Sequence, residues 1–169
     1  VAFLGPEGTF THQAVLKHFG NGVTAVPMNA IDEVFREVDA GAANYGIVPV
    51  ENSTEGVVTH TLDTFMESGL KICGEVELRI HHHLMIGPAT RRDSISRIYS
   101  HQQTLAQCRK WLDSHMPNAE RIAVASNAQA AKRLKDEWNA AAIAGEMAAE
   151  LYGMEVIHSN VEDRPDNTT

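Results

Sequence analysis

Several short polar segments of this chain carry side chains that can donate to, or accept from, a small anionic ligand. The run Val48-Pro-Val-Glu-Asn-Ser-Thr-Glu-Gly56 places the carboxylate of Glu51, the carboxamide of Asn52 and the hydroxyls of Ser53 and Thr54 directly after a strand-like stretch at 45–49. Pro49 has no N–H to give a ladder and suits a strand end. Gly56 permits a tight turn or a close ligand approach. A second segment, Gly5-Pro-Glu-Gly-Thr-Phe-Thr-His12, lies between a strand and a helix. Gly8, Thr9 and Phe10 open that helix, and backbone N–H groups at a helix start suit a carboxylate or phosphate. In the third, Tyr99-Ser-His-Gln-Gln-Thr-Leu-Ala-Gln-Cys108, Ser100 ends a strand and is placed to cap the next helix, with His101 beside it. Gln103 and Gln107 lie four apart on one helical face, with Gln107 one turn in and within reach of a ligand held at the helix start. Ser126-Asn127 forms another strand-to-helix cap, and the tail Asp166-Asn-Thr-Thr169 adds the hydroxyls of Thr168 and Thr169.

Other chemistries fit less well. The glycine spacing at 5–8 is not a dinucleotide fingerprint, and no Lys follows to make a phosphate loop. Taken singly, each segment reads rather as a well-capped turn than as a site, with Asn52 and Ser53 bonding their own backbone. The triplet His81-His-His83 puts His81 and His83 on one strand face and His82 on the other. No Cys or acidic residue follows at ligand spacing, so polar alternation is preferred over a metal site. Ser100 and His101 are sequence neighbours and do not make a nucleophile–base pair, which is defined by geometry. Cys73 and Cys108 form no CxxC motif and read as free thiols of a reducing, cytoplasmic compartment.

The balance of 14 Lys and Arg against 22 Asp and Glu gives a formal charge of −8, with no basic run. That argues against a nucleic-acid partner and requires any anion site to be built locally, from helix N-termini or a few cations. No apolar run reaches the roughly 18 residues of a transmembrane helix, and no signal peptide opens the chain, so no membrane association is expected. The sequence begins without Met and stops in a loop-like segment, which reads as a trimmed chain or fragment.

The elements that must position these residues alternate along the chain. Strands are expected at 1–4, 23–26, 44–48, 98–100, 120–124, 140–143 and 154–158, and helices at 9–19, 30–40, 59–68, 102–115, 126–136 and 146–151. The stretch 70–87 reads as a long extended strand, too long for one compact sheet, that leaves one lobe and enters a second. This order implies parallel βαβ units, and a cleft between two lobes is a favoured small-molecule site.

Taken together in order, the motifs at 5–12, 48–53, 99–103 with 107–108, and Tyr-Gly-Met-Glu-Val at 152–156 resemble those of the prephenate dehydratase family across nearly the whole chain. The resemblance implies an α/β, two-lobed, periplasmic-binding-protein-like (type II) fold with an inter-lobe active-site cleft. Residues 1–76 with 156–169 are expected to form lobe 1, and 77–155 lobe 2. It implies decarboxylative dehydration of prephenate to phenylpyruvate, without metal or cofactor, in phenylalanine biosynthesis. Thr169 matches the threonine of the family's Thr-Arg-Phe motif, held to protonate the departing hydroxyl. Glu51, Asn52, Ser100 and Gln107 match positions implicated in catalysis or positioning. Gly8, Thr9, Phe10, Ser53, His101, Gln103, Ser126, Asn127 and Thr168 are the expected substrate contacts. Gln102 stands where the family has Pro, and Asn127 where it has Thr or Ser. An Arg and a Phe are expected after Thr169, and a regulatory ACT domain, absent from this sequence, usually follows. A homodimer or higher oligomer is expected, with phenylalanine as an allosteric ligand only if an ACT domain is present in the full protein. Arogenate dehydratase shares the motifs and is the nearest alternative, and a non-catalytic carboxylate-binding module is the other.

Overall fold

A computed structural model describes residues 1–169 as two compact units, Val1–Arg79 with Asn167–Thr169 and Ile80–Asp166. The chain therefore passes between units after Arg79 and after Asp166, rather than near 77 and 156. The final strand stays with the second unit because it pairs there with another strand.

In the first unit β1 (Ala2–Leu4), α1 (Phe10–Phe19), β2 (Val26–Met28), α2 (Ile31–Asp39) and β3 (Gly46–Ile47) alternate. The three strands make a parallel sheet with β1 in the centre. β2 begins at Val26, further along than expected. It carries Pro27, which a strand at the sheet edge tolerates. Thr9 caps α1 by accepting the N–H of His12, and Lys17 and His18 sit in its last turn, where cations meet the negative end of the helix dipole. α2 has no capping side chain at Ala30; Glu33 takes the N–H of Asn29 instead. Its apolar face buries Ile31, Val34 and Phe35. A Cβ on Gly46 would lie 2.8 Å from Val34 Cγ1, so only glycine lets α2 sit this close to β3.

A short hairpin follows, β4 (Glu51–Asn52) and β5 (Gly56–Val57), then α3 (Thr59–Glu67). Gly56 takes φ 88° at this hairpin, a conformation that glycine adopts without strain. The buried Thr61 hydroxyl donates to Pro49 O at 2.7 Å, tying α3 to the strand exit. The expected long strand at 70–87 does not form as one piece. Residues 68–78 join no ladder, and Ile72 is exposed. A strand needs a partner, and the tail supplies one only near the unit boundary. Leu78 exchanges both backbone hydrogen bonds with Thr169, at 2.8 and 2.9 Å, and Arg79 bridges Thr168 antiparallel.

The second unit holds β6 (His83–Ile86), β7 (Arg97–His101), α4 (Gln102–Gln107), α5 (Arg109–His115), β8 (Glu120–Val124), α6 (Asn127–Arg133), β9 (Ala140–Ala144), α7 (Glu146–Tyr152) and β10 (Glu155–His158). Its sheet runs β10-β6-β9-β7-β8. β7 is parallel to β8 and β9, as βαβ units require, but β6 is antiparallel to β9 and β10. Only a single short 3₁₀ turn lies between β6 and β7, so no helix carries the chain back across the sheet to start a parallel strand. All five residues of β9 are fully buried. Ala140, Ala142 and Ala144 pack with Met85, Tyr99 and Leu134, whereas Ala141 and Ile143 pack with Leu84, Ile98 and Leu112. This two-residue alternation covers both faces of the sheet.

The single helix expected over 102–115 is broken at Cys108, whose ψ of 12° departs from helical geometry. Asp163 stabilises the break. Its carboxylate accepts the N–H groups of Lys110 and Trp111 at the start of α5, and its own N–H donates to Gln107 O at 2.7 Å. No helix is long and apolar enough to cross a membrane.

Candidate active site

In the first unit, two motif segments that are far apart in sequence meet. Ser53 N–H donates to Thr168 O at 2.8 Å, and Thr168 N–H donates back to Ser53 Oγ at 2.9 Å. Ser53 Oγ also donates to Asn167 Oδ1 at 3.1 Å, and Asn167 is buried. Thr169 Oγ1 donates to Glu51 O at 2.9 Å. The hairpin and the tail thus form one hydrogen-bonded patch, with the Thr169 hydroxyl and the exposed Glu51 side chain on the same short stretch. Asn52 behaves as the turn reading expects: its Oδ1 accepts the N–H groups of Thr54 and Glu55. Its oxygen is committed, so the amide N–H₂ is the chemistry it can present to a ligand.

The loop before α1 is more occupied than its sequence implies. Gly8 N–H, expected as an anion donor, bonds His12 Nδ1 at 3.2 Å. Thr9 Oγ1 donates towards Pro6 O and accepts from His12 N–H. His12 stacks on Phe3 at 4.7 Å. Burial lowers its pKa, against an opposing pull from Glu7, which keeps the ring neutral and Nδ1 able to accept. Phe10 begins α1 and is half-buried.

In the second unit, Ser100 is fully buried and does not cap α4. Its hydroxyl reaches Ile143 O at 2.7 Å and Asn127 Oδ1 at 2.9 Å. A hydroxyl has one hydrogen, and both neighbours are acceptors, so Ser100 is spent on internal bonding. The α4 cap is His101, whose Nδ1 accepts Gln103 N–H at 3.4 Å. Asn127 joins these pieces, accepting His101 N–H at 3.0 Å and donating from Nδ2 to Thr104 Oγ1 at 2.9 Å. Ser126 caps α6 by accepting Gln129 N–H. Gln103 is exposed in the first turn of α4. Gln107 closes that helix, rather than sitting one turn inside a longer one. Its Oε1 lies 2.9 Å from His82 Nε2.

Three contributors carry no signal in the sequence: His82 reads as polar alternation, and Glu162 and Asp163 as part of the loop-like segment after the last expected strand. The triplet does have an acidic partner. Glu162 Oε1 lies 2.7 Å from His81 Nδ1, and Oε2 accepts His82 N–H at 3.0 Å. No local spacing signals this contact, which spans 81 positions. No group of three or more His, Cys, Asp or Glu side chains is placed to hold a metal ion.

The chain is similar to known proteins over its whole length. The prephenate dehydratase family profile matches residues 1–169. The bifunctional chorismate mutase/prephenate dehydratase of Pseudomonas aeruginosa is 70% identical over 169 residues, covering 100% of this chain and 46% of that protein. The chain thus spans about half the length of the curated relatives it matches. Among solved structures, the prephenate dehydratase from Arthrobacter aurescens in complex with L-Phe superposes with a TM-score of 0.89 at 34% identity, over 99% of this chain and 59% of that one. GqqA, described as a novel type of quorum-quenching acylase, superposes with a TM-score of 0.87 at 29% identity, over 99% and 60%. The α/β units accordingly have the periplasmic-binding-protein-like type II fold of these dehydratases. With its motifs in order and every residue inside the family match, this chain belongs to the prephenate dehydratase family.

Proposed function

We propose that the protein converts prephenate to phenylpyruvate, carbon dioxide and water. The observation that carries this reading is the junction of the 51–53 hairpin with the 167–169 tail, which sets the Thr169 hydroxyl beside Glu51 and Asn52. In the reaction the bond from the ring to its carboxylate carbon breaks. Its electron pair enters the ring, which becomes aromatic, and the ring hydroxyl leaves with a proton as water. Aromatisation supplies the driving force, so no cofactor is called for. The protein must hold a dianion in line and stabilise negative charge on the departing oxygen.

Thr169 is the proposed donor to that oxygen. A threonine hydroxyl is a weak acid, so its hydrogen bond contributes most as charge grows in the transition state. Glu51 orients as an acceptor, Asn52 donates from its amide, and Gln107 donates to a substrate carboxylate. N–H groups at the starts of α1, α4 and α6, with Thr9, Phe10, His101, Gln103, Ser126 and Asn127 around them, are the further proposed contacts. Gly8 and Ser100 act through the backbone geometry they fix. A cytoplasmic homodimer or higher oligomer, and phenylalanine control exerted outside residues 1–169, belong to the same reading.

The test is phenylpyruvate formation, followed by its ultraviolet absorbance in alkali, with the full-length protein. Turnover of prephenate supports the reading. Turnover of arogenate alone would keep the family and change the substrate, and inertness towards both would favour a carboxylate-binding module. Calorimetry of residues 1–169 with phenylalanine is expected to show no tight binding.

A further inference from the structure

We propose that His82 is a positioning residue that fixes the carboxamide of Gln107 with its oxygen turned inward, so that Gln107 meets the substrate as an N–H donor. The inference rests on the dehydratase reading, in which Gln107 contacts an anionic substrate.

A glutamine amide is chemically two-faced. Its oxygen accepts and its nitrogen donates, and rotation by half a turn exchanges them. Carboxylates only accept, so a site for a dianion gains from a glutamine locked with nitrogen outward. Here Gln107 Oε1 faces His82 Nε2 at 2.9 Å. His82 is 2% exposed. Its pKa is lowered by burial, against the raising pull of the Gln107 hydrogen bond and of Glu162. A neutral ring protonated on Nε2 donates to Oε1 and holds the amide in one sense.

The supporting frame is built from the segment after β10. Val161 N–H donates to His82 O at 2.8 Å, and Glu162 Oε2 accepts His82 N–H at 3.0 Å, so the His82 backbone is gripped on both sides. The Glu162 side chain is 2% exposed, and its second oxygen is taken by His81. The next residue, Asp163, donates its N–H to Gln107 O and caps α5. Three consecutive residues therefore set the backbones of both His82 and Gln107, and the imidazole spans the gap between them. A misplaced donor of this kind costs roughly 10- to 100-fold in rate.

The experiment has an arm that needs no activity. Nitrogen-15 NMR of the full-length protein reads which imidazole nitrogen of His82 carries the proton. Protonation at Nε2 is expected, and a ring protonated only at Nδ1 would overturn the proposal whatever the enzyme does. In the kinetic arm, His82→Leu is expected to lose roughly 10- to 100-fold in kcat/KM. His82→Gln, which can place a donor near the same point, recovers most of that loss. His82→Leu added to Gln107→Leu costs little beyond Gln107→Leu alone, since the two act through one contact. Additive losses, or a His82→Leu enzyme equal to wild type, would overturn the proposal while the dehydratase reading stands. Wild-type protein inert towards prephenate would overturn that reading and the role of Gln107 with it.

Discussion

The hydroxyl of Thr169 donates to the backbone carbonyl of Glu51 across 118 positions of chain. That bond does not stand alone. Thr169 also exchanges two backbone bonds with Leu78, and its neighbour Thr168 accepts the Ser53 N–H and donates its own N–H to Ser53 Oγ. The backbone of the tail is therefore fixed from two sides, at Leu78 and at Ser53, and the Thr169 side chain is held by its one bond to Glu51 O.

Removing that hydroxyl tests the proposed donor. Thr169→Ala keeps the backbone pairing with Leu78 and loses the Oγ1 together with the γ-methyl. By analogy with loss of one preorganised donor to a developing oxyanion, kcat is expected to fall by about 10²- to 10³-fold with little change in KM. Thr169→Ser should recover a large part of the loss, because the hydroxyl returns without the methyl. Steady-state kinetics with prephenate checks both, and an alanine variant at wild-type kcat would remove Thr169 from the chemistry.

Ser100 is expected to behave differently. Its motif position suggests a substrate contact, but its buried hydroxyl is spent on Ile143 O and Asn127 Oδ1. Ser100→Ala leaves a carbonyl of the fully buried β9 without this donor, which costs about 1–3 kcal/mol. Urea unfolding should show the midpoint shift, with the slope unchanged. Activity measured well below the transition should fall far less than in Thr169→Ala.

The contrast between these residues marks where the sequence is readable. Alternation of strands and helices and the caps at Thr9 and Ser126 are local signals, and the structure has them. The break at Cys108 is not local, because the carboxylate that caps α5 comes from Asp163, 53 positions from Lys110. The antiparallel β6 was hidden for a related reason. Its apolar pattern is that of any buried strand, and direction depends on what joins it to its neighbours. Residues of the site followed the same division. The motif segments were visible, but the sequence did not show which of their polar atoms were already committed. Gly8 N–H, Asn52 Oδ1 and Ser100 Oγ all have internal partners.

Packing at Gly87 gives a prediction independent of chemistry. A Cβ there would lie 2.4 Å from Leu134 O and 3.0 Å from its carbonyl carbon. Both are backbone atoms at the end of α6, and they cannot move aside as a flexible side chain would. Gly87→Ala is expected to destabilise the second unit by about 1–3 kcal/mol, read as a lower midpoint in urea. An unchanged midpoint would mean that the segment after β6 shifts at no cost.

Acid should weaken the fold in two windows, because two kinds of buried group resist protonation. Burial is the leading cause of lowered pKa at His12, His82 and His83. Their unfolded values lie near 6.5. Between that value and their lower folded values the unfolded chain binds more protons, so stability falls as pH drops below about 6.5. Glu162 is the second case. Burial alone would raise its pKa, but hydrogen bonds from His81, from His82 N–H and from its own N–H outweigh it and lower the value. Its contribution is complete above the unfolded value of about 4.3 and is lost as pH falls through the lower folded value. Urea midpoints at pH 7.5, 6.5, 5.5, 4.5 and 3.5 should therefore decline from the second point onward. In His82→Gln the decline between pH 6.5 and 5.5 should be shallower, because one of the three resisting imidazoles is gone. In Glu162→Gln that window should persist while the loss below about pH 4.3 shrinks. A wild-type midpoint that stays level down to pH 5.5 would mean that these imidazoles take up protons in the folded state as readily as in the unfolded one.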